Sequence, residues 1–122
     1  AALLASLTVG SLAGAVLFVN NHRDAQADAR GGRRTLAIMA GPSLNVWIYA
    51  VLMLIPFALL SPLAITLPGA HVWLAILAMP LALVRIYGFA REPPGRGFNR
   101  ILVQTVQVQI LFSLLLCLGV VL

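Results

Sequence analysis

Long stretches without a charge constrain this chain more than any other feature. Ala1 to Val19 carries none over 19 residues, Leu44 to Leu67 none over 24 and Ile101 to Leu122 none over 22. A helix of about 20 apolar residues crosses the ~30 Å hydrocarbon core of a bilayer, so each run predicts a membrane span. Val72 to Ala90 makes a further span, with Arg85 near its end, where a long side chain reaches back to the interface. Pro56 and Pro62 interrupt the second run and predict a kink there, or an early end near Ser61. Pro68-Gly69 marks a turn. The expectation is an all-α, polytopic transmembrane helix bundle with four spans, at about 1–19, 44–67, 72–90 and 101–122.

Composition excludes the other classes. Charged residues are 9% of the chain, against roughly 25% in soluble domains, too few to cover a water-facing surface. With 61% hydrophobic residues the chain is not disordered, and its single cysteine, Cys117, rules out a disulfide scaffold. The run that begins at Ala1 has no basic segment before it, unlike a signal peptide, and another apolar run reaches Leu122. A fragment of a longer polytopic protein is expected.

All the basic residues are arginines, and the net charge is +5. Their position between apolar runs fits a topology signal rather than nucleic-acid binding. Arg23, Arg30, Arg33 and Arg34 lie in the connection Asn20–Ser43, and Arg85, Arg91, Arg96 and Arg100 in the connection Arg85–Arg100. With four spans both connections fall on one face, which the positive-inside rule makes cytoplasmic. Both termini then lie on the far side. Trp47, Trp73 and Tyr87 lie near span ends, as in an aromatic belt.

The informative polar segment is Asn20–Leu36, which holds two of the three acids in the chain. If the first span continues as helix, Asn20, Asp24 and Asp28 stack at i, i+4 and i+8, with Asn21 bordering the same face. Two carboxylates and one or two amide oxygens then converge. Such hard oxygen ligands suit Mg²⁺. Arg30, Arg33 and Arg34 follow beside a Gly31-Gly32 break, and guanidinium forks match phosphate oxygens. The physical reading is a magnesium–diphosphate site at the cytoplasmic mouth of the bundle. The bland alternative is a solvated loop whose arginines only set topology.

The pattern Asn20-Asn21-x-Arg23-Asp24-x-x-x-Asp28-x-x-x-Gly32-Arg33-Arg34-Thr35-Leu36-Ala37 resembles the second aspartate-rich motif of the UbiA superfamily of membrane prenyltransferases. Its paired asparagines, Arg-Asp pair and Thr-Leu ending resemble the 1,4-dihydroxy-2-naphthoate polyprenyltransferase branch of menaquinone synthesis. The resemblance implies that residues 1–122 are the C-terminal part of a UbiA-type domain, its last four helices of nine. It implies a bacterial-type inner membrane and a central cavity with two facing aspartate-rich motifs. It implies Mg²⁺-dependent transfer of a polyprenyl group from polyprenyl diphosphate to an aromatic ring. Asp24 and Asp28 become catalytic metal ligands, with Asn20 as a further ligand. Asn20, Asn21, Arg23, Arg30, Arg33 and Arg34 become the diphosphate-binding set. The implied partners are the prenyl donor, the aromatic acceptor, membrane lipid and a missing N-terminal half, with no nucleic acid.

The sequence departs from the family pattern in places. The first aspartate-rich motif is absent, so the chain alone is expected to be inactive. His22 stands where the branch often has an aromatic or aliphatic residue. Ala29 stands where an arginine is common, with Arg30 beside it. A different aromatic acceptor, such as 4-hydroxybenzoate or homogentisate, or a non-catalytic membrane interaction or transport subunit, are the alternatives.

Other positions carry plainer expectations. Gln104, Thr105, Gln107, Gln109 and Ser113 on the fourth span are expected to face the bundle interior and hydrogen-bond between helices. Arg85 and Tyr87 are expected to anchor at the interface, and Arg91-Glu92-Pro93-Pro94-Gly95 to form a stiff loop with Glu92 solvated. His71 has no ligand partner in view, Gly10 and Gly14 allow close helix packing, and Cys117 reads as a small buried hydrophobe.

Overall fold

A computed structural model describes residues 2–93 and 97–121. Ala1, Pro94, Gly95, Arg96 and Leu122 lie outside the described residues. The Pro94-Gly95 part of the expected stiff loop and the charge of Arg96 therefore belong to the sequence reading alone.

Among the described residues the fold is all-helical, with four helical segments long and apolar enough to cross a membrane. Helix α1 runs Ala2–Arg23 and a short α2 runs Ala25–Arg30. The second span comprises α3, Leu36–Ala58, and α4, Leu60–Thr66. The third starts as a 3₁₀ segment, Val72–Ala78, and continues as α5, Met79–Arg91, with Pro80 tolerated in its first turn. Helix α6 is Phe98–Val121.

The spans differ from the expected ones at their ends. The second begins at Leu36 rather than Leu44, because Thr35 caps it: the Thr35 hydroxyl accepts from the Ile38 amide at 3.3 Å. It kinks at Gly41 (φ 82°) and Pro42, then breaks at Leu59 between the two prolines that the sequence marks. The fourth starts at Phe98, not Ile101. The added first turn of the fourth span carries Asn99 and Arg100, whereas Leu36–Ser43 of the second is uncharged and is set apart only by the Gly41–Pro42 kink.

Each interior proline removes an amide that would bond four residues back. Pro56 frees the carbonyl of Leu52, and the Ser11 hydroxyl of α1 donates to that carbonyl at 2.7 Å. A neighbouring helix thus satisfies a backbone group that lipid cannot. Gly14, one turn along α1, lies against the Leu52 side chain, whereas Gly10 has no such contact. Of the two glycines, one makes the expected close approach.

The core lies between α1, α3, α5 and α6. Leu12, Tyr49, Met53, Phe89 and Phe112 are fully or almost fully buried there, and Phe57 meets Phe112 edge-on at 5.2 Å. The outer surface stays apolar: Leu17, Trp47, Ile65 and Leu114 are all over 60% exposed. An apolar exterior on this scale requires a bilayer or further protein.

Hydrogen bonds fix the arrangement of the ends. Arg23 at the end of α1 bonds Asn99 at the start of α6, so both arginine-bearing connections share one end of the bundle, as expected. At the other end the His71 amide donates to the Gly119 carbonyl at 2.7 Å. His71 is exposed and its backbone, not its ring, makes this contact.

Candidate functional site: the arginine-bracketed acidic segment

The acidic segment joins α1 to α3 at the arginine-rich end. It is not one continuous helix, since Asp24 lies at a joint between α1 and α2. The helical register still survives the joint. The Asp24 amide donates to the Asn20 carbonyl at 3.1 Å, and the Asp28 amide to the Asp24 carbonyl at 2.8 Å. Asn20, Asp24 and Asp28 therefore keep the i, i+4, i+8 relation that the sequence predicts.

Helix α2 ends on a glycine for a backbone reason. Gly32 has φ +81°, a conformation that costs other residues roughly 1–2 kcal/mol. It lets the Arg33 amide reach the Asp28 carbonyl at 2.9 Å and the Gly32 amide reach Ala29 at 3.2 Å. This paired closure is a Schellman cap. Its consequence is placement: Arg33 folds back, and its guanidinium lies 3.5 Å from Asp28 Oδ1.

Arg23 organises the other acid. Its Nε donates to Asp24 Oδ1 at 2.9 Å and one terminal nitrogen to Oδ2 at 3.1 Å, a bidentate fork. The same arginine bonds the side-chain oxygens of Asn20 and, at 2.9 Å, Asn99. The Arg23 hydrogen bond holds the Asp24 carboxyl below its ordinary value of 3.8. Carboxylate oxygens have about four lone-pair sites, so the fork leaves acceptor positions open on Asp24.

The structure brings together Asn20, Arg23 and Asp24, and pairs Asp28 with Arg33. Arg30 and Arg34 stand exposed nearby, and Asn21 is half-buried without a side-chain hydrogen bond among the described residues. No group of three or more His, Cys, Asp or Glu side chains clusters as a metal cage among the described residues. Mg²⁺ does not require one, since it is commonly held by one or two carboxylates plus substrate phosphates and water. Two carboxylates and an amide oxygen on one register fit that mode.

Sequence reasoning missed the layer beneath this surface. His22 is 4% exposed, and its ring lies 4.7 Å from both Phe89 and Phe98. Asn45 Nδ2 donates to His22 Nδ1 at 2.8 Å and to the Ala37 carbonyl at 2.9 Å. Tyr49 stacks on Phe89 at 4.4 Å, and its hydroxyl meets Thr105 Oγ1 at 2.7 Å. A cavity of about 220 Å³ lies against this layer, lined in part by His22, Ala25, Ala29 and Asn45.

Several expectations are corrected. Thr105 faces the interior and bonds between helices, but Gln107 is exposed and Gln104, Gln109 and Ser113 are only half-buried, because one helix face cannot hold all of them. Cys117 is exposed on the outer face of α6, since Leu116 and Gly119 occupy the inner one. Tyr87 is 61% exposed and accepts a 2.6 Å hydrogen bond from Arg91, consistent with an interface anchor. Arg85 is half-buried, and its Nε has no hydrogen-bond partner among the described residues. The Glu92 side chain lies against the backbone of Gly97 rather than standing free in solvent.

Fold and site together define an integral membrane protein whose acidic, arginine-bracketed segment caps one end of a helix bundle. Comparison with known proteins makes that class specific. The UbiA prenyltransferase family pattern matches residues 1–101, and the chain belongs to this family. It is 33% identical over 108 residues to "UbiA prenyltransferase domain-containing protein 1" of Xenopus tropicalis, covering 88% of this chain and 30% of that protein. The human protein of the same name is 31% identical over 108 residues, with the same coverage. It is 30% identical over 119 residues to "1,4-dihydroxy-2-naphthoate octaprenyltransferase" of Bacillus subtilis (strain 168), covering 96% of this chain and 38% of that protein. The chain thus spans about a third of the length of the curated relatives it matches. No solved structure matches.

Proposed function

We propose that this chain is the C-terminal part, residues 1–122, of a prenyltransferase that moves a polyprenyl group from polyprenyl diphosphate to 1,4-dihydroxy-2-naphthoate. The observation that carries this reading is the Asn20–Asp24–Asp28 register with arginines folded onto it, in a chain of this family. The naphthoate acceptor is supported by the Bacillus subtilis relative's name and by the local pattern of residues 20–37.

In this reading Asp24, Asp28 and Asn20 would hold Mg²⁺, whose positive charge would offset the charge of a leaving diphosphate. Arg33, Arg30 and Arg34 bind diphosphate oxygens, and Asn21 supports them. Arg23 keeps Asp24 ionised and aimed. The apolar bundle behind the segment excludes water from a reactive allylic cation. A facing acidic motif comes from a further segment of the protein, for which the longer relatives have room. The exposed Gln107 on α6 supports that part, because a polar side chain on a membrane helix turns to protein or water rather than lipid. The arginine-rich end is cytoplasmic, in a bacterial-type inner membrane.

The test is an acceptor panel on the full-length protein in membranes, with a labelled polyprenyl diphosphate as donor. Preferred transfer to 1,4-dihydroxy-2-naphthoate supports the reading. Preferred transfer to 4-hydroxybenzoate or homogentisate removes the acceptor assignment and keeps the chemistry. No transfer to any ring favours a non-catalytic membrane subunit.

A further inference from the structure

We propose that His22 and Asn45 form a positioning bridge that locks the end of α1, and with it the Asp24–Asp28 segment, to the kink of α3. The proposal rests on the magnesium–diphosphate reading of that segment. Asn45 lies just past the Gly41–Pro42 kink and reaches back across it to the Ala37 carbonyl. Its second amide hydrogen goes to His22 Nδ1, so the imidazole is neutral with its proton on Nε2. Phe89 from α5 and Phe98 from α6 flank the ring. All four spans therefore meet at one side chain, and the next two residues are Arg23 and Asp24.

The amide orientation is dictated. Turning Asn45 over would set its oxygen against the carbonyl of Ala37, so Nδ2 stays between two acceptors. The consequence is that Asn45 Oδ1 is buried with no partner among the described residues. A buried, half-satisfied amide is a poor stabiliser compared with an apolar residue of similar size. What Asn45 supplies is register: it ties the start of α3 to α1 at the point where the acidic segment leaves the bundle. Without it the kink and α2 move independently, and the 220 Å³ cavity between them gives room to do so.

The experiment measures backbone amide exchange over residues 24–31 in the full-length protein in nanodiscs, without metal. His22→Phe keeps a flat ring between Phe89 and Phe98 but cannot accept from Asn45. His22→Gln restores an acceptor. Asn45→Leu removes both donors and fills the space. His22→Phe and Asn45→Leu are expected to exchange at least tenfold faster in this segment, with Asn45→Leu unfolding no earlier than wild type. His22→Gln is expected to match wild type. Exchange within twofold of wild type in either His22→Phe or Asn45→Leu overturns the bridge.

A second readout uses Mn²⁺ with inorganic pyrophosphate, followed by electron paramagnetic resonance. Half-saturation is expected at least fivefold higher in the two bridge-less variants. Faster exchange with unchanged Mn²⁺ half-saturation overturns the positioning role. If even the wild-type protein takes up no Mn²⁺ with pyrophosphate, the metal reading fails, and the exchange rates alone decide the bridge.

Discussion

Asp24 sits beside an arginine that grips both its oxygens, and this sets how the site responds to acid. The folded carboxyl titrates below its ordinary 3.8, so the pair adds stability above that value and loses it as pH falls through the lowered folded value. The stability difference between wild type and Asp24→Asn should be flat around neutrality and shrink only below about pH 4, as read by thermal unfolding across pH. Gly32 is the next lever. Gly32→Ala should cost about 1 kcal/mol in local stability, since its φ is +81°. It should also weaken pyrophosphate inhibition of transfer by drawing Arg33 off Asp28. At this scale the acids and arginines were legible because their spacing is local. The roles of His22 and Asn45 were not, because they pair across 23 residues and only the fold brings them together.

Among the elements, the α1–α3 contact depends on a hydroxyl meeting a carbonyl that a proline leaves free. Ser11→Ala should destabilise the protein by about 1 kcal/mol. In a Pro56→Ala background, where residue 56 regains an amide for the Leu52 carbonyl, the same change should cost much less. A double-mutant cycle on unfolding in detergent reads the coupling. Gly119 is a second contact of this kind, since a Cβ there would overlap the His71 carbonyl oxygen. Gly119→Ala should cost about 1–3 kcal/mol, the range for overpacking a tight contact. Apolar runs made the four spans legible, and the prolines marked where the second one breaks. The early start of α3 was hidden because Gly41-Pro42 reads as a break, although Leu36–Ser43 before Leu44 is equally free of charge and the helix continues through the kink. The 3₁₀ opening of the third span has no comparable sequence signal.

At the level of the whole molecule, both arginine-bearing connections share one end, while the turn at Gly69 and the far end of α6 share the other. Single cysteines at positions 31 and 93, in a Cys117→Ser background, should be labelled by a membrane-impermeant maleimide from the same side of sealed vesicles. A cysteine at position 69 should be labelled only from the opposite side. This layout was legible in the sequence because arginine placement is a strong topological signal. What covers the outer faces was not, since an apolar helix face reads alike whether lipid or another helix lies against it. The central claim is that the acidic segment at the arginine-rich end performs the prenyl transfer. It is tested most directly by assaying Asp24→Ala and Asp28→Ala in the full-length protein, with Mg²⁺ saturating and folding checked by thermal midpoint. Each variant should lose at least about a hundredfold in rate, the scale for removing a group that stabilises developing charge, while still folding. Wild-type rates in both variants would contradict the account.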